Sequence, residues 1–323
     1  MRLFRLRLAP PATQKFAGGP PNVSAGRVMK TPRLAAAALL AGAAIFARAA
    51  EPIEVFLIGG QSNATGQGYV RNLPKDFAPA ARVLLFHSGS PHLNCGATPY
   101  VWSPLHAASE SPDRYGPELG FGTRLAGLMP AKKIALIKHA HSGTNLYAQW
   151  APGRAPNDRA HWGPQFTIFV ETVEAGLAGL RDRGFEPVLR GMIWQQGEND
   201  AEKADEHAAD YGKNLAHFIA RVRAQLHAPD LVFIYGAVLP PPNAQPGRDA
   251  VRAGQRDAAQ GSASPLATTG AWLVATDDLD HRATDPGTRY PNDHLHFGSA
   301  GTLELGRRMA EKMAAVLTRS GRP

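Results

Sequence analysis

The chain has 323 residues, with 35 basic and 27 acidic side chains and a net charge of +8 at pH 7. Residues 1–49 hold eight of the basic residues and no acid, and removing those eight from 35 leaves 27 of each sign in the remainder. The body is therefore formally neutral, and no nucleic-acid or other polyanionic partner is implied. A single cysteine, Cys95, excludes an internal disulfide framework, so stability has to come from a buried core.

The imbalance lies in the leader. Met29-Lys-Thr-Pro-Arg33 is a short basic stretch, Leu34 to Phe46 an apolar run of thirteen residues, and Ala47-Arg48-Ala49 a small-x-small pattern. This is the layout of a signal peptide over residues 29–49, with residues 1–28 read as an upstream extension and expected to be disordered. Thirteen residues fall short of the ~20 that cross a bilayer as a helix, so no stable membrane insertion is expected. The mature chain is expected to be exported, periplasmic or extracellular, with residues 50–323 forming a single domain.

Ile53-Glu-Val-Phe-Leu-Ile58 reads as a strand buried on both faces. It runs into Gly59-Gly60 and then presents Gln61, Ser62 and Asn63. Such a turn sets the next side chains at the carboxyl edge of a sheet, where ligands of open α/β sheets bind. The plainer reading is that Ser62 and Asn63 cap the following segment. Arg82–Phe86 is a second strand, followed by a Ser-, Pro-, His- and Gly-rich loop over residues 87–116. Pro117 opens a helix to Leu128, and Lys133–Lys138 is a third strand ending in His139–Asn145. Residues 146–164 read as a rim loop, and Gln165–Arg183 has helical spacing. Pro187–Trp194 is the fourth strand, discharging into Gln195–Asp200, and Ala204–Leu226 reads as one long helix. Leu231–Tyr235 is the fifth strand. A shorter helix near residues 249–260 and an apolar run, Trp272–Ala275, precede a last helix from Ser299, its expected N-cap, to Thr318. Alternating strands and helices predict an α/β fold: a doubly wound α/β/α domain with a mainly parallel, five-stranded sheet.

Four loops carry unusual polar clusters: Gly60-Gln-Ser-Asn63, His141-Ser-Gly-Thr-Asn145, Trp194-Gln-Gln-Gly-Glu198 and Asn292-Asp-His-Leu-His296. In a parallel sheet all four fall on one edge. They offer a hydroxyl, glycine-rich N–H groups, side-chain amides and an Asp-x-x-His pair, the parts an acyl-transfer site needs. In a turn entering a helix, residues three apart bring their side chains to one side, so Asp293 would accept from one nitrogen of His296 while the other faces a hydroxyl.

Together with Tyr115-Gly-Pro-Glu-Leu-Gly-Phe121 and Leu295-His-Phe-Gly-Ser-Ala-Gly301, these motifs in this order resemble the SGNH-hydrolase superfamily. Within it they resemble the sialate O-acetylesterase-like family, which includes carbohydrate esterase family 6. The resemblance covers about Glu54 to Ala310. It implies a flavodoxin-like fold and a serine esterase that removes O-acetyl groups from sugars through an acyl-enzyme, without a cofactor. It assigns Ser62 as nucleophile, His296 as base and Asp293 as its partner. The oxyanion hole would comprise the backbone N–H groups of Ser62 and Gly143 and the side-chain amide of Gln196. In some relatives the Glu of the Gln-Gly-Glu block, here Glu198, is the acidic member instead. The three-residue spacing favours Asp293, with Glu198 as a carboxylate steadying the Gln196 loop. Ala64 stands where relatives often carry Met, and His139 and His141, read as partly exposed loop residues, stand where a less polar run is common. The implied partner is an acetylated sugar or polysaccharide, such as xylan or a sialic acid, in a pocket lined by residues 87–116 and 146–164. Neither the substrate nor the oligomeric state is specified.

Two other classes draw on the same residues. His139-x-His141, Asp277-Asp-x-Asp280-His281 and His294-x-His296 supply metal-ligand types, but no His-Glu-x-x-His helix is present and His296 is already assigned, so no metal is expected. A non-catalytic carbohydrate-binding domain would use Trp102, Trp150 and Trp162 as stacking faces, though the same residues suit rim packing. Ser62, Asp293 and His296 together argue against lost catalysis. Asn63-Ala-Thr65 matches a glycosylation acceptor, but a glycan beside the nucleophile would obstruct the site, and the match is read as coincidence.

Overall fold

The computed structural model describes residues 50–89 and 99–319. The leader with its signal-peptide reading, and Cys95, lie outside the described residues. Among those residues no helix is long and apolar enough to cross a membrane.

β1 (Glu51–Gly60) is followed by a one-turn helix α1 (Ser62–Thr65), β2 (Gly68–Tyr69), β3 (Val83–His87), β4 (Ser103–Pro104), β5 (Arg114–Tyr115) and α2 (Glu118–Leu128). Next come β6 (Ile134–Ala140), α3 (Pro164–Asp182), β7 (Phe185–Gln195), α4 (Glu206–Ala209) and α5 (Tyr211–Gln225). The chain continues through β8 (Val232–Gly236), α6 (Arg248–Ala258), β9 (Ala271–Val274) and α7 (Ser299–Arg319). The main sheet runs β4-β3-β6-β1-β7-β8-β9, parallel except where β4 pairs antiparallel with β3. β2 and β5 form a separate antiparallel ribbon.

The sheet thus has seven strands where five are predicted. The two additions are the edges. β4 is two residues long and contains Pro104, so it carries no periodic signal, and an edge is where proline is tolerated. β9 is the short apolar run before the last loop, too brief to be read as a strand from its own residues. The predicted helix over 204–226 is two helices separated at Asp210, with Asp205 capping the first through His207 N at 3.1 Å. Ser299 is the first residue of α7 rather than a simple cap. Its hydroxyl donates to Asp285 Oδ2 at 2.8 Å and accepts from Tyr69 N at 2.9 Å, tying the β2 ribbon to the loop before α7.

β1 shows why the central strand is apolar throughout. Val55 and Leu57 face a core built with Phe166, Phe169 and Phe218, residues of α3 and α5. Phe56 and Ile58 face the opposite core, with Phe121, Leu305 and Met309 of α2 and α7. The alternation follows from the two-residue period of a strand covered on both sides. Between β1 and β7 the register slips once: Val55 pairs Leu189 and Phe56 pairs Gly191, leaving Arg190 as a bulge. The Arg190 guanidinium bonds the buried carboxylate of Glu54.

A buried ion pair braces the Ser62 turn from behind. Lys138 Nζ of β6 donates to Glu118 Oε2 at 2.6 Å, to the Thr65 carbonyl at 2.9 Å and to the Ala108 carbonyl at 2.7 Å. Glu118 Oε1 accepts the backbone N–H groups of Ala108 and Gly116. Breaking a buried pair leaves an uncompensated charge. Glu118→Ala is accordingly expected to lower the unfolding free energy by about 3–5 kcal/mol, measured by urea denaturation; a loss within experimental error would show that Lys138 does not depend on this carboxylate.

Candidate active site

β1 ends in Gly60, whose φ of +135° suits glycine and whose absent Cβ would sit 2.1 Å from the Gln195 carbonyl of β7. That close passage lets the chain turn at once into Gln61 and Ser62. Ser62 Oγ stands 3.0 Å from His296 Nε2. On the other side of the imidazole, Nδ1 lies 2.8 Å from Asp293 Oδ2 and 3.1 Å from Oδ1. Asp293 Oδ1 also accepts the backbone N–H groups of Leu295 and His296, each at 3.1 Å. Burial pushes the Asp293 carboxyl up, but these contacts outweigh it and hold the group below its ordinary range. The hydroxyl, imidazole and carboxylate therefore stand in line, in the order proton transfer would need.

Glu198 lines the same cavity but is engaged differently. It is buried, its Oε1 accepts from Asn63 Nδ2 at 2.6 Å, and no hydrogen bond joins it to His296. Burial raises its pKa, with the Asn63 bond the next, opposing influence. Asn63 Nδ2 also reaches the Leu295 carbonyl at 3.2 Å, while its Oδ1 accepts from Phe297 N at 3.0 Å. A side chain so buried and so engaged is closed to glycosylation.

The amide donors are arranged differently from the expectation. Gln196 is fully buried, and its Nε2 faces Asp200 Oδ2 at 2.5 Å, the Thr144 carbonyl at 3.0 Å and Gln61 Oε1 at 3.1 Å. It is absent from the lining of the cavity that contains Ser62 and His296. Gln61 does line that cavity. Its Oε1 accepts from Gln196 Nε2, Gly197 N and Asn199 N, which fixes the amide orientation and leaves Nε2 without an acceptor. Gly143 also lines the cavity at φ +69°, and neither its N–H nor that of Ser62 is engaged by a protein acceptor among the described residues. The only signal for Gln61 in the sequence is its place immediately before Ser62. Buried Asp200, which takes up Gln196 and the N–H groups of Leu146 and Tyr147, has its carboxyl pushed up to about 6 by desolvation.

The cavity measures about 480 Å³. Arg114, Arg282, Gln67, Glu110 and Tyr290 line it beside the triad-like residues, and the sequence offered no motif for any of them. The loop over residues 87–116 contributes through Glu110 and Arg114, whereas residues 146–164 contribute nothing to the lining among the described residues. The tryptophans of that second segment point into the core instead. Trp102, Trp150 and Trp162 are all buried, and Trp150 Nε1 donates to Thr144 Oγ1 at 2.9 Å, so none offers a stacking face. His139 is likewise a core residue, its ring nitrogens 2.7 Å from Ser88 Oγ and 3.0 Å from Gln165 Oε1. Among the described residues no three His, Cys, Asp or Glu side chains converge as metal ligands.

Over residues 52–315 the sequence matches the family described as carbohydrate esterase, sialic acid-specific acetylesterase. The chain belongs to this family. Solved structures share the fold of this carbohydrate esterase. An Arabidopsis thaliana protein superposes with a TM-score of 0.59 at 21% identity, over 82% of this chain and 98% of that one. NanS gives 0.57 at 16% identity, over 84% and 99%. A carbohydrate acetylesterase from Xanthomonas citri gives 0.50 at 17% identity, over 83% of this chain and 56% of that one. No curated protein sequence matches the chain.

Burial lowers the His139 pKa from 6.5 to about 4, with the Gln165 hydrogen bond only partly opposing it. The folded ring resists a proton that the unfolded ring accepts, so this contribution is complete above pH 6.5 and is lost as the pH falls toward 4. Between pH 7.5 and pH 5, His139→Gln should therefore lose about 2 kcal/mol less stability than the wild type. Urea titrations at the two pH values read this difference, and equal losses would exclude His139 as the source.

Proposed function

We propose that this carbohydrate esterase is a serine enzyme that removes O-acetyl groups from sugars through an acyl-enzyme. The alignment of Ser62, His296 and Asp293, with Ser62 Oγ 3.0 Å from His296 Nε2, is the observation that carries the proposal. Ser62 Oγ attacks the ester carbonyl carbon while its proton passes to His296 Nε2. Asp293 holds the imidazole in the tautomer that leaves Nε2 free and balances the imidazolium that forms. The oxyanion faces the N–H groups of Ser62 and Gly143 and, in place of the expected Gln196, the unengaged Nε2 of Gln61. His296 returns its proton to the leaving sugar oxygen as the tetrahedral intermediate collapses. Water, deprotonated by the same imidazole, then attacks acetyl-Ser62, releasing acetate and restoring the hydroxyl. The substrate is an acetylated glycan met outside the cytoplasm, consistent with the leader.

Ser62→Ala is expected to abolish acetate release from a panel of acetylated sialosides, xylan and monosaccharides, as well as turnover of p-nitrophenyl acetate. Activity retained in this variant would overturn the serine mechanism. In single-turnover acylation, Asp293→Ala should be slowed on the order of 10³-fold or more, and Glu198→Ala far less. Collapse in the Glu198 variant alone would transfer the acidic role to Glu198. Gln61→Ala should lower kcat about 10²–10³-fold with KM little changed; a kcat equal to wild type would remove Gln61 from the oxyanion site.

A further inference from the structure

Arg282 is a buried guanidinium, 4% exposed, in the wall of the catalytic cavity. A buried cation is costly unless a carboxylate answers it. The one that does is Asp293, whose Oδ2 lies 3.3 Å from Arg282 Nη1. That oxygen is the same one that receives His296 Nδ1. The guanidinium is itself held on two sides. Its plane lies over the Tyr290 ring at 3.6 Å, and Nη1 also donates to Gln67 Oε1 at 3.2 Å. Gln67 is anchored in turn, with Nε2 donating to Glu110 Oε1 at 2.8 Å. Arg282 Nε and Nη2 are buried with no acceptor among the described residues, so Asp293 and Gln67 take the hydrogen bonds that the guanidinium makes there.

We propose that Arg282 is a positioning residue of the esterase reaction: it fixes the orientation of Asp293 and shares its charge, and so sets the pH below which His296 ceases to act as base. The role rests on the serine mechanism proposed above. Besides Arg282 and Asp293, the titratable and charged groups around this pair are Glu198 from the loop after β7, His281 from the segment before α7, His294 beside Asp293, the Tyr69 and Tyr290 rings, and Arg114 and Glu110, which reach Arg282 through Gln67. The Glu198 carboxylate adds negative charge beside the Asp293–His296 pair, whereas the guanidinium offsets it. Removing the guanidinium therefore makes protonation of His296 easier, and the acid limb of activity moves to higher pH. Arg282 acts through Asp293 and never on the reacting atoms, so a small ester should still be bound normally.

The test measures kcat and KM for p-nitrophenyl acetate from pH 4.5 to 9 in the wild type, Arg282→Met, Arg282→Gln and Arg282→Lys. Circular dichroism melts check that each variant is folded, and Arg282→Gln carries the test if Arg282→Met is not. The neutral variants should show the acid limb of kcat/KM displaced upward by about half to one pH unit. They should also show kcat reduced at least tenfold and KM within about threefold of wild type. Arg282→Lys, which keeps the charge, should return the limb to near its wild-type position. A limb that stays in place in a folded neutral variant would overturn the role, whether the loss then fell in KM, as for a substrate-binding residue, or in melting temperature, as for a structural one. Ser62→Ala measured in parallel separates the two proposals. Activity surviving in Ser62→Ala overturns the serine mechanism and this role with it, whereas a Ser62-dependent activity with an unmoved limb overturns the role of Arg282 alone.

Discussion

The side chain of Asn63 is the joint between the three loops of the site. Nδ2 holds Glu198 from the end of β7, the same nitrogen holds the Leu295 carbonyl, and Oδ1 holds the N–H of Phe297. Ser62 is its immediate neighbour, and His296 lies between the two backbone groups that it grips. A hydroxyl and an imidazole separated by 234 positions in the chain are thereby set 3.0 Å apart by one amide. Only a side chain with both donor and acceptor can do this: a carboxylate would face Glu198 with like charge, and an apolar residue would orphan the Phe297 N–H. The burial of Glu198 follows from the same contact. Its carboxyl is buried to anchor Asn63, which is why desolvation dominates its titration.

Around this joint the carboxyl edge of the sheet carries several buried polar groups that are held by one another. Gln61 Oε1 collects three N–H donors, Gln196 is consumed by Asp200 and Thr144, and Lys138 closes on Glu118 and the backbone beneath Ser62. Such networks cost desolvation and return rigidity when every member is paired. The groups left unengaged are thereby informative. The N–H groups of Ser62 and Gly143 and the Nε2 of Gln61 are donors that meet no acceptor among the described residues and that belong to residues lining the cavity.

The sequence made the central strands, the helix order and the Asp293–His296 pair legible because each is written locally, whereas Ser62 joined that pair only through the order of the motifs and the family resemblance. β1 is a continuous apolar run, and Asp293 and His296 are three residues apart. What could not be read was long-range. Gln196 and Gln61 are both amides at strand ends, and which of them lines the cavity depends on Asp200 and Thr144 lying behind one of them. Trp150 and Trp162 looked like rim residues because their neighbours are Pro, Gly and Arg, yet the segment folds back onto α3 and α5. Arg282 belongs to no motif, and its meaning comes only from the carboxylate eleven positions on that the loop returns to it. The two extra strands escaped for a simpler reason: edges of two and four residues are recruited by their neighbours rather than by their own pattern.

The bulge at Arg190 has a consequence for parity. Downstream of it, Trp194 points into the core beneath α3 and α5, while Ile193 points into the other. A strand with a two-residue period has no intermediate setting, so one residue more or fewer between Leu189 and Gly191 would exchange these faces. The indole would turn toward α7, and the Gln195–Glu198 loop would leave the sheet rotated by half a turn. Insertions and deletions elsewhere in this stretch can be absorbed by the turn before β7, but the count of residues from the bulge to Glu198 is fixed by which side of the sheet each must occupy.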